Sequence, residues 1–158
     1  MIRPLTGSDL ERIKEIDGAA FSPEDQYDEA VYPNMLESGL SLVAVDDGEL
    51  VVGYAFVQRL QEWPWEELSD LPTRPVCIPH SHVRSIAVDP SRRRRGYGRA
   101  ILRSVFHAAT NSVDLLVDES NEPALRFYEY LGFKPAEMCA TVPPKRRMAL
   151  TVAENQSG

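Results

Sequence analysis

Nowhere in the 158 residues does an apolar run approach the ~20 needed to span a bilayer, and the opening Met1-Ile2-Arg3-Pro4 lacks the apolar stretch of a secretory signal. The expectation is a cytoplasmic protein with no membrane partner. Cysteine is scarce. Cys77 and Cys139 stand far apart without C-x-x-C spacing, which points to reduced thiols and away from a disulfide framework or redox motif. Positive charge is not in excess either: 17 Lys and Arg face 24 Asp and Glu, for a net charge of -7. Sequence-independent nucleic-acid binding rests on a broad basic field, so no nucleic-acid partner is expected. What is present is 43% hydrophobic residues, enough for one globular domain over residues 1–153, with residues 154–158 as a disordered tail.

Along the chain, residues 2–5 read as a short first strand. Ser8 with Glu11 forms a capping box for a helix over 9–20, and Ser22-Pro23 opens a second helix interrupted at Pro33. Two apolar stretches, 40–45 and 50–57, flank Asp46-Asp47-Gly48-Glu49 as a hairpin. Residues 60–81 carry Trp63, Trp65 and several prolines without a clear period, a length of connection that marks a functional segment bordering a binding site. After it the spacing predicts strand 83–88, helix 98–109, strand 113–117, helix 122–131 ended by Gly132, and final strands over 133–141 and 148–152. That order is mixed α/β, with hairpins at both ends and βαβ crossovers between them.

The junction between strand 83–88 and the next helix is Arg92-Arg93-Arg94-Arg95-Gly96-Tyr97-Gly98-Arg99. Gly96 and Gly98 remove side chains where a bound group would approach the backbone, and the unpaired amides of the helix's first turn point at that group beside a positive dipole end. That geometry suits a pyrophosphate; taken alone, the segment is equally a plain tight turn. A P-loop string is absent, and a dinucleotide fingerprint fails at Ile101, where it needs a small residue. Further on, Asn121 before Glu122-Pro123-Ala124 has the position of a helix N-cap, and Tyr128 shares an apolar face with Ala124, Phe127 and Leu131 as a core aromatic would.

Two motifs together carry a resemblance. Arg93 to Gly98 fits [QR]-x-x-G-x-[GA], and Asn121 to Phe133 fits N-x-x-A-x-x-[FL]-Y-x-x-x-G-F. Both resemble the GNAT superfamily of acyl-CoA-dependent N-acyltransferases, across roughly the C-terminal half of the domain. The resemblance implies a seven-stranded mixed sheet flanked by about four helices, with acetyl-CoA or CoA bound. It assigns the cofactor to Arg93, Arg94, Arg95, Gly96, Tyr97, Gly98 and Arg99, to strand residues Ile86, Ala87 and Val88, and to Asn121 and Tyr128. In that family the tyrosine is the usual general acid for the leaving thiolate.

The chemistry matches these residue types. An alkylamine of pKa ~10.4 is neutral about once in 2,500 molecules at pH 7, so attack on a thioester needs a proton acceptor. A phenol can donate to the departing thiolate, and a strand amide near Ile86 or Ala87 can polarise the carbonyl. His80 and His82, two residues apart on one strand face, are the candidate bases, with strand-end surface positions as the alternative. Cys77, His80 and His82 at C-x-x-H-x-H spacing match no structural zinc pattern, so no metal is expected.

Within the superfamily, the long insert, the His-x-x-x-x-Ala-Val run from His82 to Val88 and Cys139-Ala140-Thr141-Val142 resemble arylalkylamine N-acetyltransferases. Aligned on Ala87-Val88, His82 matches the first histidine of that family's H-x-H and Arg84 replaces the second. The expected acceptor is therefore a small amine, aromatic given Trp63 and Trp65 or polycationic given Glu62, Glu66, Glu67 and Asp70, and the protein is a monomer or homodimer. An alternative is a protein N-terminal acetyltransferase of the ribosomal-alanine type, which Glu119 to Ala124 also resembles, although that group places a glutamate base where this chain has Leu116. A third is a non-catalytic acyl-CoA sensor on the same fold.

Overall fold

Seven strands and three α-helices appear in a computed structural model that describes residues 1–60, 80–109, 112–139 and 143–151. The elements are β1 (Ile2–Pro4), α1 (Leu10–Ala20), β2 (Leu42–Val45), β3 (Val51–Leu60), β4 (His80–Val88), α2 (Tyr97–Ala108), β5 (Ser112–Asp118), α3 (Glu122–Tyr130), β6 (Lys134–Cys139) and β7 (Lys145–Thr151). An eight-residue 3-10 helix, Glu29–Leu36, brings the helical segments of that length or more to four among the described residues. The strands hydrogen-bond in the order β1-β2-β3-β4-β5-β7-β6, with β4 and β5 parallel. This is the mixed α/β sheet expected from the order of elements. No helix of the described residues is long and apolar enough to cross a membrane.

The chain divides into two compact units, Met1–Gln58 with Arg84–Ala108, and Arg59–Val83 with Ala109–Gly158. In the first, β1, β2 and β3 form an antiparallel meander, and the Asp46 carboxylate closes the β2–β3 hairpin by accepting the Gly48 and Leu50 amides, each at 2.9 Å. β3 is buried continuously from Val51 to Val57. A strand covered on both faces needs such an unbroken apolar run. Ile13 and Ile16 on α1, and Ile101, Leu102, Val105 and Phe106 on α2, supply the buried helix faces.

Two local expectations in this unit are corrected. The entry to α1 is capped by Thr6 and Asp9, not by Ser8 and Glu11: the Asp9 carboxylate accepts the Thr6 amide at 2.8 Å and its hydroxyl at 3.0 Å, while also binding Arg3 through both oxygens. The overlapping pattern that wins is the one with a third, longer-range partner. No helix starts at Ser22-Pro23. There the Tyr27 amide bonds the Asp17 carboxylate at 3.2 Å instead of a helical carbonyl, and regular helical bonding begins only at Glu29, as 3-10 turns that run through Pro33.

In the second unit, β5 and β7 pair antiparallel from Ser112↔Thr151 to Asp118↔Lys145, and β6 pairs β7 with an irregularity between Pro135 and Met138. The β4–β5 ladder is short: Ser81↔Val113, His82↔Asp114 and Val83↔Leu115. Val113, Leu115, Phe133, Met148 and Leu150 are buried in this unit. Most of the insert, with Cys77, Trp63, Trp65 and its acidic residues, lies outside the described residues, as do residues 140–142 and 152–158.

Candidate active site

In the first unit, Asp89 ends β4 by accepting the Ser91 amide at 3.0 Å and hydroxyl at 2.8 Å, and it also binds the Arg12 guanidinium at 2.6 Å. Those bonds, the Ser91 amide first, hold its carboxyl below the usual range. The turn that follows spends Arg92 on structure, since its guanidinium pairs with Asp46 of the hairpin. Arg93, Arg94 and Arg95 are exposed. Arg94 and Gly96 both have left-handed backbones, φ 65° and 82°, which turn the chain into α2. A Cβ on Gly96 would meet nothing within 4 Å, so glycine is needed there for its φ rather than for space. α2 opens with the Ala100 amide bonding the Gly96 carbonyl at 3.0 Å, and its first turn carries no acidic side chain. The positive end of the α2 dipole therefore faces this turn.

In the second unit, α3 is fixed at both ends. Asn121 is its N-cap, accepting the Ala124 amide on Oδ1 at 3.3 Å, with proline in the first turn. At the other end Gly132, at φ 103°, donates its amide to the Glu129 carbonyl at 3.0 Å, and Phe133 donates to the Tyr128 carbonyl at 3.0 Å. These are the two bonds of a Schellman cap, and the apolar contact that accompanies such a cap is here Phe133 against Tyr128, ring centroids 5.6 Å apart. The Gly-Phe pair thus pins Tyr128 by backbone and by ring. Half-buried, its phenol is pushed up by burial to about 12.

The same unit brings His80 and His82 together with a residue that sequence reasoning missed. His82 Nδ1 lies 2.7 Å from Asp114 Oδ1, and His80 Nε2 lies 3.2 Å from the same oxygen. Arg147 Nε donates to the other oxygen, Oδ2, at 2.8 Å and reaches Glu137 through Nη1 at 2.9 Å. His80, His82, Asp114 and Arg147 are all buried. Burial alone would raise the Asp114 carboxyl, but the two histidines on Oδ1 outweigh it and hold the group well below the carboxylate range. Asp114 is therefore ionised. Arg84, the aligned counterpart of a second histidine, is instead exposed, its guanidinium 5.8 Å from the Phe56 ring centroid.

The nearest donor atoms of His80, His82 and Asp114 lie within 4.8 Å of one another, a spacing that a metal ion could use. The second oxygen of Asp114 is engaged by the Arg147 guanidinium, which Glu137 pairs in turn. A signal for Asp114 exists in the sequence: it is a charge inside the apolar run Val113 to Val117, and a strand covered on both faces does not hold one unpaired. Its partner Arg147 is 33 residues away, and no local pattern links them.

The sequence matches the family model described as "Acetyltransferase (GNAT) family" over residues 10–133. Among curated proteins it is 31% identical over 135 residues to the N-alpha-acetyltransferase RimI of Mycobacterium tuberculosis, covering 84% of this chain and 77% of that one. It is 41% identical over 101 residues to an N-alpha-acetyltransferase of Sulfurisphaera tokodaii, covering 61% and 57%. Among solved structures, Arabidopsis thaliana NAA60 in complex with acetyl-CoA superposes with a TM-score of 0.76 at 21% identity, over 96% of this chain and 98% of that one. The family match takes in β4, the arginine-glycine turn, the Asp114 strand and the whole of α3, and with it the chain belongs to the GNAT family as an acyl-CoA N-acyltransferase that uses acetyl-CoA.

Proposed function

We propose that the protein acetylates the α-amino group of a protein or peptide N-terminus. The observation that carries this reading is the likeness to N-alpha-acetyltransferases over most of the chain, which favours it over the arylalkylamine reading suggested by the insert and by His82 to Val88. The nucleophile's own acidity supports it. An α-ammonium of pKa ~7.8 is neutral in about one molecule in seven at pH 7, against about one in 2,500 for an alkylamine. Leu116 at the position of the ribosomal-alanine group's glutamate is then a smaller handicap, because an α-amine asks less of a base.

In this reading the amides of Gly96, Tyr97, Gly98 and Arg99 hold the pyrophosphate, with Arg93, Arg94 and Arg95 around them. The β4 amides of Ile86, Ala87 and Val88, beyond the last β4–β5 pair at Val83↔Leu115, polarise the thioester carbonyl. Asn121 contacts CoA. The amine nitrogen forms the new C–N bond as the C–S bond breaks with its electron pair on sulfur. Of the two protons the ammonium loses, one goes through His82 or His80 to solvent, and the other makes up for the proton that Tyr128 gives to the thiolate.

The test is a competition assay with acetyl-CoA and four acceptors: a peptide with a free N-terminus, the same peptide N-blocked but bearing lysine, an arylalkylamine and a polyamine. Thiol release and mass spectrometry should place the acetyl group on the free α-amine with the highest kcat/KM. Faster acetylation of the arylalkylamine or polyamine overturns the reading, and acetyl-CoA binding without turnover on any acceptor would make the chain a sensor.

A further inference from the structure

We infer that Asp114 is a positioning residue for the acetyl-transfer reaction: it fixes His82 in the tautomer whose Nε2 accepts the substrate proton, and Arg147 keeps Asp114 ionised for that purpose. The inference rests on the reading of His82 as the proton acceptor.

The geometry leaves one arrangement. An ionised carboxylate has no proton to donate, so at 2.7 Å the hydrogen between His82 Nδ1 and Asp114 Oδ1 belongs to the imidazole. The neutral His82 ring therefore carries its lone pair on Nε2. The His82 side chain is 9% exposed whereas that of His80 is fully buried, so of the two histidines on Asp114 it is His82 that reaches outward. His82 and Asp114 are direct register partners on β4 and β5, which fixes the pair by backbone as well as by side chain. A side chain on a rigid strand with a second hydrogen bond behind it is held in one orientation.

Arg147 completes the arrangement. A lone buried carboxylate would take up a proton, and a protonated Asp114 could donate to His82 and reverse its tautomer. The guanidinium on Oδ2 opposes that, and Glu137 on its other arm balances the extra charge. When His82 takes a proton from the amine nitrogen, the imidazolium forms beside a fixed negative charge. It returns the proton to solvent from the same Nε2, and Asp114 neither gains nor loses one.

The experiment compares the parent with His82→Gln, Asp114→Asn and the double variant Asp114→Asn/Arg147→Gln, which removes both buried charges if the single change fails to fold. Three readouts are taken: kcat on the best acceptor, acetyl-CoA affinity by calorimetry, and the side-chain nitrogen shifts of His82, assigned among the three histidines by difference from His82→Gln. The expected result is a neutral parent ring protonated on Nδ1, an asparagine variant with that preference lost, and kcat lowered about 10²-fold with acetyl-CoA affinity within about twofold. A parent His82 protonated on Nε2 overturns the inference. So does a folded asparagine variant with parental kcat, or one that loses kcat when His82→Gln does not. If no acceptor is acetylated, the functional reading fails separately and the nitrogen shifts still decide the tautomer.

Discussion

A Cβ placed on Gly53 of β3 would lie 3.1 Å from the carbonyl oxygen of Ala87 on β4 and 3.2 Å from Ile101 Cδ1 of α2. Glycine is thus what lets β3 come close to the end of β4, the stretch whose amides are assigned to the thioester. Gly53→Ala should destabilise the protein by about 1–3 kcal/mol, because the blocking atom is main chain and cannot rotate away. A denaturant midpoint equal to the parent's would show that the strands give way instead.

At Gly96 the cost is of another kind. The space for a side chain is open, and only the left-handed φ of 82° resists one. Gly96→Ala should weaken acetyl-CoA binding about 5- to 30-fold, the equivalent of about 1–2 kcal/mol of backbone strain, while Gly96→Asn, which tolerates that region, should stay nearer the parent. Equal affinities for all three in calorimetry would detach this turn from the cofactor.

Gly132 presents a third case, where φ is 103° and a Cβ would sit 3.5 Å from Leu150 Cδ1, in ordinary contact. Gly132→Ala should therefore act through the Schellman cap, lowering stability by about 1 kcal/mol or more and loosening the turn that seats Tyr128. A thermal melt together with kcat measures both effects. An unchanged melting temperature would mean that the cap does not depend on this glycine.

Two of these glycines show why the local geometry of the candidate site was legible in the sequence. Gly96 and Gly132 sit in short motifs whose spacing is a local property of one turn or one helix end, and the Schellman bonds of Gly132 and Phe133 span only five residues. The α1 cap was less legible because Thr6-x-x-Asp9 and Ser8-x-x-Glu11 overlap, and Arg3 on β1 settles which one forms. The missing helix after Ser22-Pro23 depends on the buried Asp17, whose carboxylate also holds Tyr32 at 2.7 Å and Tyr54 at 3.0 Å, partners up to 37 residues away. The pairing of Asp114 with Arg147 was illegible for the same reason. Their pairing is set by the β5–β7 register, and only an apolar strand interrupted by a charge hinted at it.

Tyr128 gives a prediction in which the sign of a pKa shift matters. Burial raises its phenol from 10 to about 12, so the folded protein holds this proton more tightly than the unfolded chain. That contribution to stability is fully present below pH 10 and is lost only as pH rises through about 12. In its proposed role as general acid it therefore remains protonated over the working range, and kcat should rise with deprotonation of the amine and show no descending limb from Tyr128 up to about pH 10. Tyr128→Phe should lower kcat about 10²-fold or more across that range while leaving acetyl-CoA affinity nearly unchanged, since the proton matters only as the thiolate leaves. Normal turnover by the phenylalanine variant would reduce Tyr128 to a packing partner of Phe133. A descending limb below pH 10 in the parent that vanishes in the variant would show instead that Tyr128 ionises in the working range and that its environment in the enzyme–substrate complex is more polar than the one seen here.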